Sequence, residues 1–230
     1  MNAPLPRPLT FPGGRPGGDR ARSPMERAYQ HIMEAILSGA LEPGMRIPTE
    51  WVADALGISR MPVRDALRRL EGDGVVTLPA NRGASVAEYS ADEIIELTEM
   101  RAVLEGLAAR VALVRVREDE IEELIHLKHR MEKSEGDLMR WMTIHDDFHN
   151  YLTCLSNRPL LFAQTARIRL MLRPYSRRYY TDSRETEITG LEHQRIIDAM
   201  ISGDADLLDQ TVRSHALVNV EKLAACARRG

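Results

Sequence analysis

The stretch Leu56-Gly57-Ile58-Ser59-Arg60-Met61-Pro62-Val63-Arg64-Asp65-Ala66-Leu67-Arg68-Arg69-Leu70 constrains this chain more than any other. Val63, Ala66, Leu67 and Leu70 recur at helical spacing and make one apolar stripe. Arg60, Arg64 and Arg68 repeat every four residues along another side. Ser59 suits an N-cap, because its hydroxyl can accept a hydrogen bond from an unpaired first-turn amide. Pro62 falls in that first turn, where the amides have no intrahelical partner to lose. Leu56-Gly57-Ile58 reads as the end of a preceding helix, with Gly57 free to take the left-handed conformation. This is the layout of a helix-turn-helix whose second helix enters a major groove N-terminus first. The competing reading is an ordinary amphipathic helix with a solvated arginine face.

The flanking residues decide between the two. Ser23 and Glu26 have capping-box spacing and Pro24 suits the first helical position, so a helix starts there. Tyr29, Ile32, Met33, Ile36 and Leu37 carry its apolar stripe. Pro43-Gly44 marks a turn, and Thr49 is read as the cap of a short second helix through Ala55. After the arginine-faced helix, Val75 to Leu78 and Ala84 to Val86 read as two short strands, with Asn81-Arg82-Gly83 at the tip between them. Arg82 is then either a turn residue or a wing contact to phosphate or minor groove.

These elements, with Ile36-x-x-Gly39-x-Leu41-x-Pro43-Gly44 before and Gly72-x-Gly74-Val75-Val76 after, closely resemble the winged helix-turn-helix of the GntR family of bacterial transcription regulators. The resemblance runs from about Ser23 to Val86. It implies that Ser59, Arg60, Met61, Arg64, Arg68, Thr49, Asn81, Arg82 and Gly83 form the DNA-facing set.

At 230 residues the chain has length for two small domains with cores of their own. The span 1–22 reads as a disordered Pro- and Gly-rich tail, without the apolar region of a secretory signal. The span 23–89 is the winged domain, and 90–230 a second domain. No apolar run approaches a membrane span, and a cytoplasmic, nucleoid-associated location is expected. Cys154 and Cys226 are far apart and in no motif, so free thiols are the default. The net charge of −3 argues against a protein that coats nucleic acid, but not against a sequence-specific binder with a local basic patch. Lys128, Lys133 and Lys222 are the only lysines. This arginine bias suits guanine and phosphate contacts. It extends over the whole chain, however, which points to a GC-rich coding genome rather than to function.

Ser90-Ala91-Asp92-Glu93 is a second capping box and marks the boundary. Beyond it nothing reads as strand. Helical patterns cover about Asp92–Val114, Glu118–Glu132, Gly136–Leu155, Pro159–Tyr180, Glu185–Ser202 and Ala205–Ala227. The expected fold is therefore mainly α: a winged helix-turn-helix with a small hairpin wing, then an all-α bundle of about six helices.

Four of the six histidines in that bundle bear comparison, on three of its helices. His145 and His149 share a face at i, i+4, His193 sits mid-helix, and His215 lies on the last helix. Imidazoles converging from three helices are good ligands for zinc, nickel or another borderline divalent ion. Spacing alone leaves an incidental pair as the ordinary reading. His126 and His129 sit among charges and read as surface residues, and His31 reads as a polar-face residue of the winged domain.

Arg101-x-x-x-Glu105, Asp147-Phe148-His149 with Asn157, Glu192-His193, and Gly203-Asp204 with His215 together resemble the FCD effector domain of the FadR subfamily of GntR regulators. That resemblance covers about Ser90 to Ala224. It implies a divalent metal held by His149, His193 and His215. The family aspartate stands four residues before the first histidine, where this chain has His145. His145 can replace it, which makes the site softer and favours Zn or Ni over Mn or Mg. Asp146 can bind instead, or water and effector can complete a three-coordinate site. The resemblance also implies a small organic acid as effector, with Arg101 meeting its carboxylate; a salt bridge from Arg101 to Glu105 is the plainer reading. Arg173, Tyr175 and Arg178 either line that pocket or are solvated.

The expected function is a homodimeric, ligand-responsive regulator, a repressor by the family's habit, on a palindromic operator. One winged domain reads few base pairs, so two-fold-related domains are needed for affinity and specificity. A metal-dependent hydrolase is the alternative from another class, since histidine sites with an open position also serve hydrolysis. Against it, only Asp146, Asp147 and Glu192 stand near the histidines as a base, and no nucleophile motif is present. A metal-free FCD regulator of an acyl-CoA-like ligand is the third reading.

Overall fold

The computed structural model describes residues 23–80, 82–134, 136–183 and 186–227. The N-terminal stretch 1–22 and Asn81, the first residue of the wing tip, lie outside the described residues.

Helix α1 (Pro24–Ser38) opens where the Ser23 hydroxyl accepts from Glu26 N at 3.2 Å, and closes on left-handed Gly39. Helix α2 (Thr49–Leu56) and helix α3 (Arg60–Gly72) are joined through Gly57, whose φ of 62° makes the sharp turn that a side chain would strain. Val63, Ala66, Leu67 and Leu70 of α3 are all buried, packed with Tyr29, Ile32 and Ile36 of α1 and Val52 of α2. Truncating any of the large ones to alanine costs about 2–5 kcal/mol. Two expected caps differ. Ser59 holds the N-cap conformation but its side chain makes no capping bond, and Pro48 takes the cap position of α2 while Thr49 is its first helical residue.

The wing has three strands. Strands β2 (Val76–Thr77) and β3 (Ala84–Val86) pair antiparallel, with Val76 opposite Val86. Strand β1 (Arg46–Ile47), which the sequence reading lacked, pairs on the other side of β3 with Arg46 opposite Ser85. Two residues are too few for an alternation pattern to register.

The remainder is helical: α4 (Ala91–Leu113), α5 (Glu118–Glu132), α6 (Leu138–Cys154), α7 (Pro159–Ser183), α8 (Thr186–Ser202), α9 (Ala205–Leu217) and α10 (Val220–Ala225). The capping box at Ser90 is complete: Glu93 N donates to Ser90 Oγ at 3.2 Å and Ser90 N to Glu93 Oε2 at 2.7 Å. The last expected helix is broken at Val218-Asn219 into α9 and α10. Helix α4 lies at the centre, packed by α6, α7, α9 and α10. Ala102, Ala108, Ala109 and Ala112 are buried along it, and such small residues let neighbouring helices come close.

Helix α7 belongs to both halves. It packs on α4 and α6 and also touches α1. Arg178 Nη2 donates to Glu42 Oε2 at 2.9 Å, and Tyr89 N donates to Tyr175 Oη at 2.7 Å. Leu170 packs against the core of the winged half. Pro174, inside α7, removes one backbone donor from the middle of this rod. No helix among the described residues is long and apolar enough to cross a membrane.

Candidate metal centre and nucleic-acid interface

The four bundle histidines meet. His145 and His149 come from α6, His193 from α8 and His215 from α9, and their ligand atoms all lie within 4.8 Å of one another. His149 Nε2 is 3.2 Å from His193 Nε2 and 3.1 Å from His215 Nε2. A neutral imidazole nitrogen carries one proton or one lone pair, so His149 Nε2 cannot satisfy two other Nε2 atoms by hydrogen bonding alone. Ligands at ~2.0–2.1 Å in a tetrahedron stand roughly 3.3 Å apart, close to the two separations made by His149, with the rest of the set within 4.8 Å. The residues therefore fit a metal that prefers imidazole.

His149, His193 and His215 are buried, whereas His145 is partly exposed and stacks on Trp141 with ring centres 5.0 Å apart. Burial holds the imidazoles of His145, His149 and His215 well below their usual pKa. Nearby Arg169 adds to the effect at His145 and His149, and His193 adds to it at His215. The lone pairs a metal needs are thus free at neutral pH.

The surroundings orient the ligands. Glu105 of α4 is buried, with Oε2 3.6 Å from His149 Nδ1. Its Oε1 accepts from Arg169 Nη2 at 2.6 Å. No hydrogen bond forms between Oε2 and Nδ1 at that 3.6 Å separation, but the negative charge favours the tautomer with its proton on Nδ1, which leaves Nε2 for a metal. Sequence reasoning used Glu105 only as a partner for Arg101 and missed Arg169. The signal was there: Arg169 and Arg173 stand four apart on α7 and share a face. Burial lowers both guanidinium pKa values to about 10, which leaves them charged at neutral pH.

His145 and His215 also line a cavity with Arg101, Arg169, Arg173 and Asn219. Arg101 donates to Ala216 O at 2.9 Å and stands 3.7 Å from Glu105, so the plainer salt-bridge reading holds alongside its place in the cavity wall. Arg173 is ion-paired with Asp146. Asp146 is not among the residues whose donor atoms converge, and Arg173 draws its carboxylate away. Tyr175 requires a correction, since it is absent from the cavity wall and its hydroxyl bonds the backbone of Tyr89 between the two halves. Arg178 likewise serves the joint, bonding Glu42 and Cys226 O. His126 and His129 are exposed, as expected.

The other candidate surface is the outer face of α3. Arg60, Met61, Arg64 and Arg68 are all exposed, and the Ser59 hydroxyl at the N-terminus is left without a capping bond. Arg60 pairs with Glu50 at 3.1 Å and Arg68 with Asp65 at 3.7 Å. Both pairs are solvent-exposed, where such contacts are worth ~0–1 kcal/mol and yield readily to phosphate. Arg64 has no ion-pair partner among the described residues. Thr49 is half-buried, Arg82 and Gly83 are exposed at the wing, and Arg46 donates to Arg82 O at 2.7 Å, which braces the tip. Arg46 was missed along with β1.

Residues 96–217 match the FCD domain, and residues 24–86 match the bacterial regulatory proteins of the gntR family. The chain belongs to the GntR family. Within this GntR-family chain, the FCD span contains all four converging histidines and the gntR span contains α3 and the wing. The chain is 27% identical over 208 residues to the uncharacterized HTH-type transcriptional regulator YdhC of Bacillus subtilis, covering 88% of this chain and 92% of that protein. It is 23% identical over 205 residues to the HTH-type transcriptional repressor GlaR of Escherichia coli, covering 84% and 92%. Its fold matches that of E. coli McbR/YncC with a TM-score of 0.77 at 20% identity, over 89% of this chain and 98% of that one. These relatives are transcriptional regulators, not enzymes, and the hydrolase reading has no support among them. A GntR helix-turn-helix implies DNA binding, and an FCD domain implies a small-molecule effector.

Proposed function

We propose that this protein is a homodimeric repressor on a palindromic operator, released by a small carboxylate that binds at a histidine-held Zn or Ni ion. The observation that carries the reading is the opening of the four-histidine cluster into an arginine-lined cavity. His149, His193 and His215 would hold the metal, with His145 as the fourth ligand. All four donors are neutral, so the ion keeps its full charge, and it supplies a Lewis-acidic anchor for an anion. Arg101, Arg169 and Arg173 each leave a buried Nε without a hydrogen bond, and oxygens of a bound acid would satisfy such donors.

The cavity holds about 60 Å³, and one water needs ~10–15 Å³. That is room for a few non-hydrogen atoms, which supports a short mono- or dicarboxylate over an acyl-CoA-like ligand. Helix α7 carries cavity residues Arg169, Arg173 and Ser176 together with the joint residues Tyr175 and Arg178, so a ligand that moves α7 moves the winged half. The repressor sign is supported by the likeness to GlaR.

A screen of short organic acids by thermal shift on metal-loaded protein, paired with operator titration, tests this. Hits should raise the melting temperature, lower operator affinity, and vanish in His193→Ala. Hits that persist unchanged in His193→Ala would place the effector away from the metal.

A further inference from the structure

An α-helix turns about 100° per residue, which maps the surface of α3 by position. Leu70 stands about 180° from Met61 around the helix, and Val63 about 160°. Both are buried, which sets Met61 at the centre of the outward face. Met61 is the most open of the large apolar side chains exposed in the winged half, at 60% against 47% for Met45 and 44% for Trp51. It takes no part in the apolar core beneath α3. As the second residue of the helix, it lies at the end that enters a major groove first. A single exposed methionine is ordinary on a protein surface. Its place at the leading centre of a cationic face is what points to a partner.

The charged residues around Met61 define what that face meets. Arg60 reaches aside to Glu50 of α2 at 3.1 Å. Arg64 stands about 60° to one side of Met61. Asp65 and Arg68 follow within about 40° of its line, one and two turns further on. They pair only weakly, at 3.7 Å, and both are exposed. A phosphate backbone laid along that line would meet the Asp65 carboxylate, which like charge opposes. The flanking arginines suit phosphate and guanine, and the line through Met61 is left for base edges. Among the four bases only thymine presents a methyl group in the major groove. A flexible apolar thioether matches that methyl rather than an amino or carbonyl edge.

We infer that Met61 specifies a T·A pair in each half of the operator by packing on the thymine 5-methyl group. The inference rests on α3 being the recognition helix, and the experiment separates the two. Full-length protein selects duplexes from a random library, and the enriched sequence serves as operator. Each thymine of its half-sites is then replaced in turn by deoxyuridine, which removes the methyl group and nothing else. One position should lose about fourfold in affinity per half-site, the worth of one buried methyl. Changing that pair to C·G should lose about tenfold, and 5-methylcytosine in place of the cytosine should regain about fourfold. Met61→Gln should bind the thymine and deoxyuridine operators alike, with circular dichroism and melting temperature as in wild type. Met61→Leu should keep the preference for thymine. A wild type indifferent to deoxyuridine at every position, or a Met61→Gln variant that keeps the full preference, would overturn the role of Met61 and leave the recognition helix intact. Equal loss on operator and random duplex in Met61→Gln would make it a backbone contact and overturn that role as well. A library from which no sequence is enriched would overturn both.

Discussion

The winged half and the bundle keep their chemistry in opposite ways. On α3 the candidate DNA-facing residues are contiguous in sequence, exposed and weakly held: Arg60 and Arg68 have surface ion pairs, and Arg64 has none among the described residues. In the bundle the working residues come from three helices, and His149, His193 and His215 are buried and packed ring against ring. The first surface meets a partner that brings its own charge and shape, so readiness is enough. The second brings buried rings together from separate helices, so their placement depends on packing, with the Glu105 carboxylate behind His149. The contrast predicts that damage to the bundle registers as stability, and damage to α3 registers as affinity with stability unchanged.

The largest expected effect lies in the bundle. Saturating Zn or Ni at about a thousand times its dissociation constant should stabilise the protein by ~4 kcal/mol. His149→Ala should abolish that gain, and thermal unfolding with and without chelator reads both. A metal-stripped protein that gains nothing from Zn or Ni would break the comparison at its root. The next effect belongs to α3. Arg64→Ala should weaken specific operator binding by about 1–3 kcal/mol if it reads a guanine, with no change in melting temperature. Equal loss on operator and random DNA would turn Arg64 into a phosphate contact. Arg82→Ala should cost less and act alike on all sequences.

The same contrast explains what the sequence made legible. A recognition helix is a local object: the arginine repeat, the apolar stripe and Gly57 lie within fifteen residues, from Leu56 to Leu70, and all three appear as expected. The histidine set is not local, since His149 and His215 are sixty-six residues apart. Spacing gave only the His145–His149 pair. The convergence followed from the family resemblance, and helical packing realises it. What escaped was set by tertiary contact alone. Strand β1 is two residues held by β3. The break at Asn219 has no proline or glycine to announce it. Tyr175 looks the same in sequence whether it faces a cavity or the joint at Tyr89.

A smaller effect sharpens the bundle side through pH. The histidine pKa values are lowered in the folded protein by burial. Below the ordinary imidazole pKa of ~6.5 the unfolded chain takes up protons that the folded metal-free chain refuses, so stability falls with falling pH. Each such histidine contributes roughly 1 kcal/mol per pH unit below ~6.5 and nothing above it. Denaturant titrations of metal-free protein from neutral to mildly acidic pH should show this slope. His215→Gln should reduce it. No comparable slope should come from α3, which carries no histidine.

The smallest effect tests whether the two halves communicate at all. Tyr175 Oη accepts from Tyr89 N, and the Tyr89 hydroxyl in turn donates to Gly74 O at 2.6 Å, directly behind α3. Arg178 ties the same helix to Glu42 ahead of β1. These bonds touch neither the cavity nor the DNA-facing arginines. Tyr175→Phe and Glu42→Ala should therefore leave metal affinity unchanged and operator affinity without effector close to wild type. What should shrink is the ratio of operator affinities with and without effector, by about 0.5–2 kcal/mol of coupling. Linkage makes the check reciprocal: effector affinity measured on operator-bound protein must change by the same factor. If both variants keep the full ratio, α7 is a passive strut, and coupling runs by another route. Loss of the ratio in Tyr175→Phe together with intact metal binding would make α7 the element that both sites bias.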